Sequence, residues 1–200
     1  MKRIGLLSDT HGWLDEAVMR HFADCDEVWH AGDIGEESVI DALEAFKPTR
    51  IVFGNIDSTQ IRKRTHEHLR FTCEGLDVWI THIGGRPGNY ATPVRAELKA
   101  NAPGLFICGH SHICMVKYDD THRMIHMNPG AAGKHGFHHM RTILRFEIEA
   151  GKVQKAEVIE LGKRWEGLRT GDLGPGTGDR GPGTEYRGLD TQNPTRNAQY

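Results

Sequence analysis

The sequence predicts an α/β fold made of two β-sheets, each mixed in direction, with helices outside them. Three observations carry that prediction. Short apolar runs alternate with amphipathic helical patterns early in the chain. A pair of short runs split by a turn follows, and further strand-like runs fill the stretch up to residue 160.

Residues 3–7 read as a buried strand ending in the polar Ser8-Asp9. Leu14, Ala17, Val18 and Phe22 share one helical face. Residues 27–29 make a second strand, stopping at Gly32-Asp33. Val39, Ile40, Leu43 and Phe46 mark a second amphipathic helix, which Pro48 ends. Residues 51–53 form a third strand before Gly54-Asn55. This β-α-β-α-β order argues for a parallel sheet with helices packed on it.

The pattern then changes. Residues 69–73 and 76–81, split by Glu74-Gly75, suit a hairpin. A helix over 92–100 is stopped by Asn101-Ala102-Pro103, and 105–108 is another buried strand. Residues 113–118, 122–127, 141–149 and 153–160 read as antiparallel strands. From about Gly162 the composition shifts to Gly/Pro repeats among charges, which cannot bury enough surface to offset their ordering entropy. One domain over residues 1–161 and a disordered tail over 162–200 are therefore expected.

Composition narrows the function classes. The 200 residues carry 25 Lys and Arg against 27 Asp and Glu, so no basic field supports general nucleic-acid binding. No stretch approaches the ~20 apolar residues of a membrane span. The apolar run after Met1-Lys2-Arg3 is too short for a signal-peptide core, so a cytoplasmic location is expected. The four cysteines show no Cys-x-x-Cys spacing and are read as reduced thiols. Thirteen histidines are many for this length, which directs attention to metal sites and proton chemistry.

The polar residues at strand ends are the informative set. Asp9-Thr10-His11, Gly32-Asp33, Gly54-Asn55, His82 and Gly109-His110-Ser111-His112 follow five expected strands. Carboxyl ends of strands are where ligands bind in open α/β sheets. Each piece alone has an ordinary explanation: Asp33 as a helix N-cap, Asn55 as a turn residue, His110 and His112 as packing. Together they supply imidazole, carboxylate and amide donors, suited to Mn, Fe, Ni, Co or Zn, with Mn expected first. Seven candidates, Asp9, His11, Asp33, Asn55, His82, His110 and His112, exceed what one ion needs. Two ions sharing a carboxylate is the economical arrangement, and such a pair clamps a phosphate and acidifies bound water.

These motifs, in this order, resemble those of the calcineurin-like metallophosphoesterase superfamily. Asn128-Pro129-Gly130 and the compact size resemble its small bacterial and archaeal phosphodiesterase branch. The resemblance covers about residues 2–160. It implies a four-layer α/β sandwich of two mixed sheets flanked by helices. It further implies that Asp9, His11, Asp33 and His112 hold one ion and Asp33, Asn55, His82 and His110 the other. Asp33 would bridge them, and a metal-bridging hydroxide would attack phosphorus in line. Asp33, Asn55 and His82 are the expected catalytic members.

One position departs from that pattern. Many members carry His directly after the Asn, where it serves the leaving oxygen; here Ile56 stands in its place. Loss of a general acid costs roughly 10²–10⁴-fold, so aryl esters should react more readily than alkyl ones. Asp57 is read as a local turn residue, His30 as core, and His122 and His126 as ordinary packing. Lys134 and His135, on the loop after Asn128-Pro129-Gly130, are the candidate contacts to a substrate phosphate, with a solvated loop as the alternative.

The expected function is hydrolysis of a small phosphodiester or activated phosphate ester. A non-catalytic metal-binding scaffold of the same fold, as a retromer subunit exemplifies, is the alternative. Ser111 lacks the second Gly of a nucleophile elbow, and no Gly-x-x-x-x-Gly-Lys-Ser/Thr loop exists. The neutral-to-acidic charge speaks against a long duplex substrate.

Overall fold

The computed structural model of the protein describes residues 1–165; beyond that point, the tail expected from residue 162 lies outside the described residues. Met1–Arg164 form one compact unit. Strand alternation decides how its first sheet is used. In β1 (Lys2–Leu7), Ile4 and Leu6 point to one face and Leu7 to the other. In β2 (Glu27–Ala31), Trp29 and Ala31 share the face of Ile4, while Val28 shares that of Leu7. β3 (Thr49–Val52) divides Val52 from Ile51 in the same way. These three strands pair in parallel. β11 (Met140–Glu149) adds antiparallel to β1, and β12 (Lys152–Lys163) adds antiparallel to β11.

Three helices cover the Leu7 face. They are α1 (Glu16–His21), α2 (Glu37–Phe46) and α3 (Thr59–Arg64), which contribute Val18; Val39, Ile40 and Leu43; and Ile61. Asp15 starts α1 by accepting the Ala17 N–H at 2.9 Å, and its second oxygen pairs with Arg141 of β11 at 2.8 Å. The sequence reading did not anticipate α3. Only Ile61 of its six residues is buried, so it carries no apolar period to detect.

The second sheet starts from a hairpin, β4 (His68–Cys73) and β5 (Leu76–Thr81), turned at Glu74-Gly75 with φ of 47° and 83°. Positive φ at both central residues is the turn whose twist matches paired strands. β8 (Leu105–Ile107) and β10 (Met124–Pro129) continue in parallel, and β9 (Cys114–Asp119) closes the edge antiparallel to β10. α4 (Thr92–Asn101) lays Val94 and Leu98 on Trp79, Phe106 and Cys108. A short ribbon, β6 (Gly85–Arg86) with β7 (Asn89–Tyr90), links β5 to α4.

Between the sheets, Ile4, Leu6, Trp29 and Phe146 meet Val78, Ile80, Leu105 and Met127. The layers are therefore helices, sheet, sheet, helix: the four-layer sandwich. The four C-terminal strands pair as the two antiparallel hairpins β9–β10 and β11–β12. β9 and β10 enter the second sheet, where β10 lies parallel to β8, whereas β11 and β12 return to the first. Each hairpin fills a sheet edge left open by the earlier parallel strands, and local sequence does not encode which edge. β12 runs to Lys163, two residues past the expected boundary. All four cysteines are free. No helix among the described residues is long and apolar enough to cross a membrane.

Candidate metal centre

The parallel strands of both sheets end on one side, and backbone hydrogen bonds tie their loops together. Asp9 N–H donates to Gly32 O at 2.9 Å, His11 N–H to Asp33 O at 3.0 Å, and Gly109 N–H to His82 O at 3.0 Å. Gly133 N–H donates to Asp9 O at 3.1 Å, which brings in the loop after β10. The close approach is built on glycine. A Cβ at Gly54 would fall 2.0 Å from Asp33 Oδ1, and one at Gly109 would fall 2.1 Å from Ser8 Oγ. Strain concentrates here too. Asp9, His11, Asp33, His110 and His112 all have φ between 47° and 67°, a region in which non-glycine residues are held only by their surroundings.

Two groups of donors result. Asp9, His11 and His112 offer ligand atoms within 4.8 Å of one another, and so do Asp33, His82 and His110. His112 Nε2 lies 3.1 Å from Asp9 Oδ1 and 3.4 Å from His11 Nε2. Asp33 Oδ2 lies 3.8 Å from His11 Nε2, and Asp33 Oδ1 lies 3.2 Å from His82 Nε2. One carboxylate thus faces both groups. His110 donates its N–H to Asp9 Oδ2 at 3.2 Å, while its ring sits 5.3 Å from that of His82.

These residues fit a divalent ion. Asp9 Oδ1 and His82 Nε2 are buried side-chain atoms without a hydrogen-bond partner, an arrangement that an ion relieves. His82 Nδ1 donates to Ala31 O at 2.8 Å, which leaves the Nε2 lone pair turned to Asp33. Burial opposes charge on both groups, yet the close approach of the Asp33 carboxylate to the His82 ring outweighs it. Asp33 is held below the usual carboxylate range and His82 above the usual imidazole range. Burial lowers His11 against the pull of Asp33 and Asp9.

Asn55 is exposed on the β3 loop at the edge of the second group. There the neighbouring Ile56 N–H donates to Asp33 Oδ1 at 3.2 Å, and the Asn55 carbonyl accepts from Arg62 at 3.2 Å. The structure brings His135 to the first group, with ring centroids 4.8 Å apart from His11. Lys134 lies further out, its ammonium 3.8 Å from the centroid of the Trp13 ring.

Four supporting residues complete the site. His138 meets His112, Nδ1 to Nδ1, at 3.2 Å, and its Nε2 meets Gly133 O at 3.1 Å. The sequence reading passed over it, because it follows no strand and sits among neighbouring histidines. Asp57 does more than shape its own turn. Its oxygens accept the Gly35 and Gly54 N–H groups at 2.8 and 2.7 Å, clamping the β2 and β3 loops. Buried His30, pushed down to about 4 by burial, accepts Gly32 N–H at 3.1 Å and meets Thr10 Oγ1 at 2.9 Å. Asn128 donates to Gly109 O at 2.8 Å and to Ser111 Oγ at 3.1 Å. His122 pairs with Asp119 at 2.8 Å, and His126 packs between Tyr90 and Phe106.

Two sheets between helices, with Asp and His donors gathered at strand ends, are the architecture of the metallophosphoesterase fold. The model of the calcineurin-like phosphoesterase superfamily domain matches residues 1–151, and the chain belongs to that superfamily. It is 27% identical over 139 residues to a probable metallophosphoesterase of Methanocaldococcus jannaschii, covering 64% of this chain and 67% of the relative. It is 29% identical over 136 residues to another from Methanothermobacter thermautotrophicus, covering 64% and 76%. Among solved structures it resembles an archaeal phosphodiesterase, with TM-score 0.63, 22% identity, and coverage of 78% of this chain and 99% of the other. It also resembles zinc-complexed Vps29 of Entamoeba histolytica, with TM-score 0.60, 16% identity, and coverage of 79% and 98%.

Proposed function

We propose that the protein hydrolyses phosphodiesters with a pair of divalent ions. Asp9, His11, Asp33 and His112 hold one, and Asp33, Asn55, His82 and His110 hold the other. The observation that carries this reading is Asp33, whose two oxygens face different donor groups as a shared carboxylate must. When bound, such ions supply an acidified water and positive charge for the phosphoryl oxygens. The chain's own residues do the rest. Ala31 O fixes the His82 tautomer, and Lys134 and His135 stand at the edge of the first group to meet a phosphate oxygen. Ile56 offers no proton, so weakly basic leaving groups, such as aryl oxygens, react best. Manganese is the proposed metal, with nickel, iron, cobalt or zinc acceptable to the same donors. The preference for a diester draws support from the archaeal phosphodiesterase of like fold. A metal-binding scaffold without catalysis is the second reading, and Ile56 is the residue that favours it.

The test is hydrolysis of bis-p-nitrophenyl phosphate and p-nitrophenyl phosphate by metal-stripped protein, with Mn, Ni, Zn or Mg restored in turn. Metal-dependent turnover that favours the diester and vanishes in Asp33→Ala is expected. Preference for the monoester would overturn the substrate class. Metal binding without any turnover would establish the scaffold instead.

A further inference from the structure

Nine large hydrophobic residues are exposed among the described residues, and five of them sit on the loops of the metal centre: Trp13, Ile56, Ile83, Ile113 and Phe137. Their exposure runs from 44% at Trp13 and Ile83 to full exposure at Phe137. Ile56 directly follows Asn55, Ile83 follows His82, and Ile113 follows His112. Trp13 lies two residues after His11, and Phe137 lies between His135 and His138. Neighbouring Cα atoms are about 3.8 Å apart, so each of the three isoleucines is within a side chain's reach of a candidate ligand. The Ile56 backbone is itself tied to the centre, its N–H on Asp33 Oδ1 at 3.2 Å.

Scattered single apolar residues on a surface need no explanation, but five of them on the loops of one polar centre do. The same loops carry a cation, Lys134, held over the Trp13 ring at 3.8 Å. Exposed apolar residues and an ammonium on the loops that carry carboxylate and imidazole donors complement a phosphate that bears an apolar organic group. They offer little to a sugar, whose hydroxyls would lose water here without finding partners. We infer that Trp13, Ile56, Ile83, Ile113 and Phe137 form a subsite for the organic group of the ester and select aromatic or other apolar esters over small or hydroxylated ones. This rests on the reading of the centre as one that binds phosphate esters.

The test is a calorimetric titration of the manganese-loaded protein with phenylphosphonate and with methylphosphonate, which share the anion and differ only in the organic group. Phenylphosphonate should bind roughly tenfold more tightly, the effect of burying about half a phenyl ring. In Ile113→Ser/Phe137→Ser the two ligands should come within twofold of each other. Val158→Ser, an exposed apolar residue on β12, should keep the wild-type ratio. Equal binding in the wild type, an unchanged ratio in the double variant, or no phosphonate binding at all would overturn the subsite. A phenyl preference in a protein that hydrolyses no ester would sink the enzyme reading and leave the subsite standing.

Discussion

His138 fixes the tautomer of His112. With its Nε2–H given to Gly133 O at 3.1 Å, a neutral His138 presents a lone pair at Nδ1, and His112 Nδ1 lies 3.2 Å away as the donor. His112 Nε2 is then left with its lone pair 3.1 Å from Asp9 Oδ1, facing the first donor group. Outer partners of this kind typically set ligand orientation and affinity. His138→Ala should therefore weaken manganese binding by roughly 10- to 100-fold in a calorimetric titration. The melting temperature of the metal-free protein should change little. Unaltered manganese affinity would show that His112 is oriented by something else.

Metal removal should be felt as lost stability. Asp9 Oδ1 and His82 Nε2 are buried without partners until an ion arrives. Manganese at a hundred times its dissociation constant should stabilise the fold by about 2.7 kcal/mol, raising the melting temperature by roughly 5–10 °C for a chain of this size. Addition of a chelator should reverse the shift. A melting curve indifferent to both would argue that the donors hold no ion.

Asp57 offers a test of how the loops are held. Asp57→Ala removes the acceptor from two backbone N–H groups, those of Gly35 and Gly54. Each buried donor left unsatisfied costs about 1–3 kcal/mol, so urea unfolding should move by roughly 2–6 kcal/mol. Asp57→Asn, which keeps one oxygen, should lose less. Equal losses in the two variants would assign the effect to packing instead of to the clamp.

The response to acid should carry the signature of Glu27. Burial raises its carboxyl, but hydrogen bonds from Lys2, Trp29 and Arg50 outweigh that and hold it at about 2, against an ordinary 4.5. A depressed folded value means that the unfolded chain binds the proton first. The stabilisation is complete above pH 4.5 and is lost as the pH falls toward 2. Its full size is on the order of 3 kcal/mol. The stability gap between wild type and Glu27→Gln should accordingly narrow as the pH is lowered from 5.5 toward 3. A gap independent of pH would remove Glu27 from the acid response.

Much of this architecture was legible because each parallel strand ends in a polar residue that its apolar run does not explain. Asp9, Asp33 and His82 stood out in that way, and the structure draws them to one place. α3 was not legible, since Ile61 alone anchors it among arginines, a lysine and a glutamine. Nor was the return of β11 to the first sheet, because pairing of Ile4 with Phe146 across the chain is a tertiary choice. The roles of His138 and Asp57 were not legible for a related reason. Each acts on a partner distant in sequence, His112 or Gly35, and nothing in the local pattern names that partner.

The left-handed backbone at Asp9, His11, Asp33, His110 and His112 bears on how such a centre disappears. An L-residue held there costs roughly 1–2 kcal/mol relative to glycine, and the buried unpartnered donors add to that when metal is scarce. Replacing such a residue by glycine relaxes the backbone in the same stroke that deletes a donor. Loss of metal donors is thus downhill for the metal-free fold. Selection for what the metal does is then what keeps the five residues in place against that relaxation.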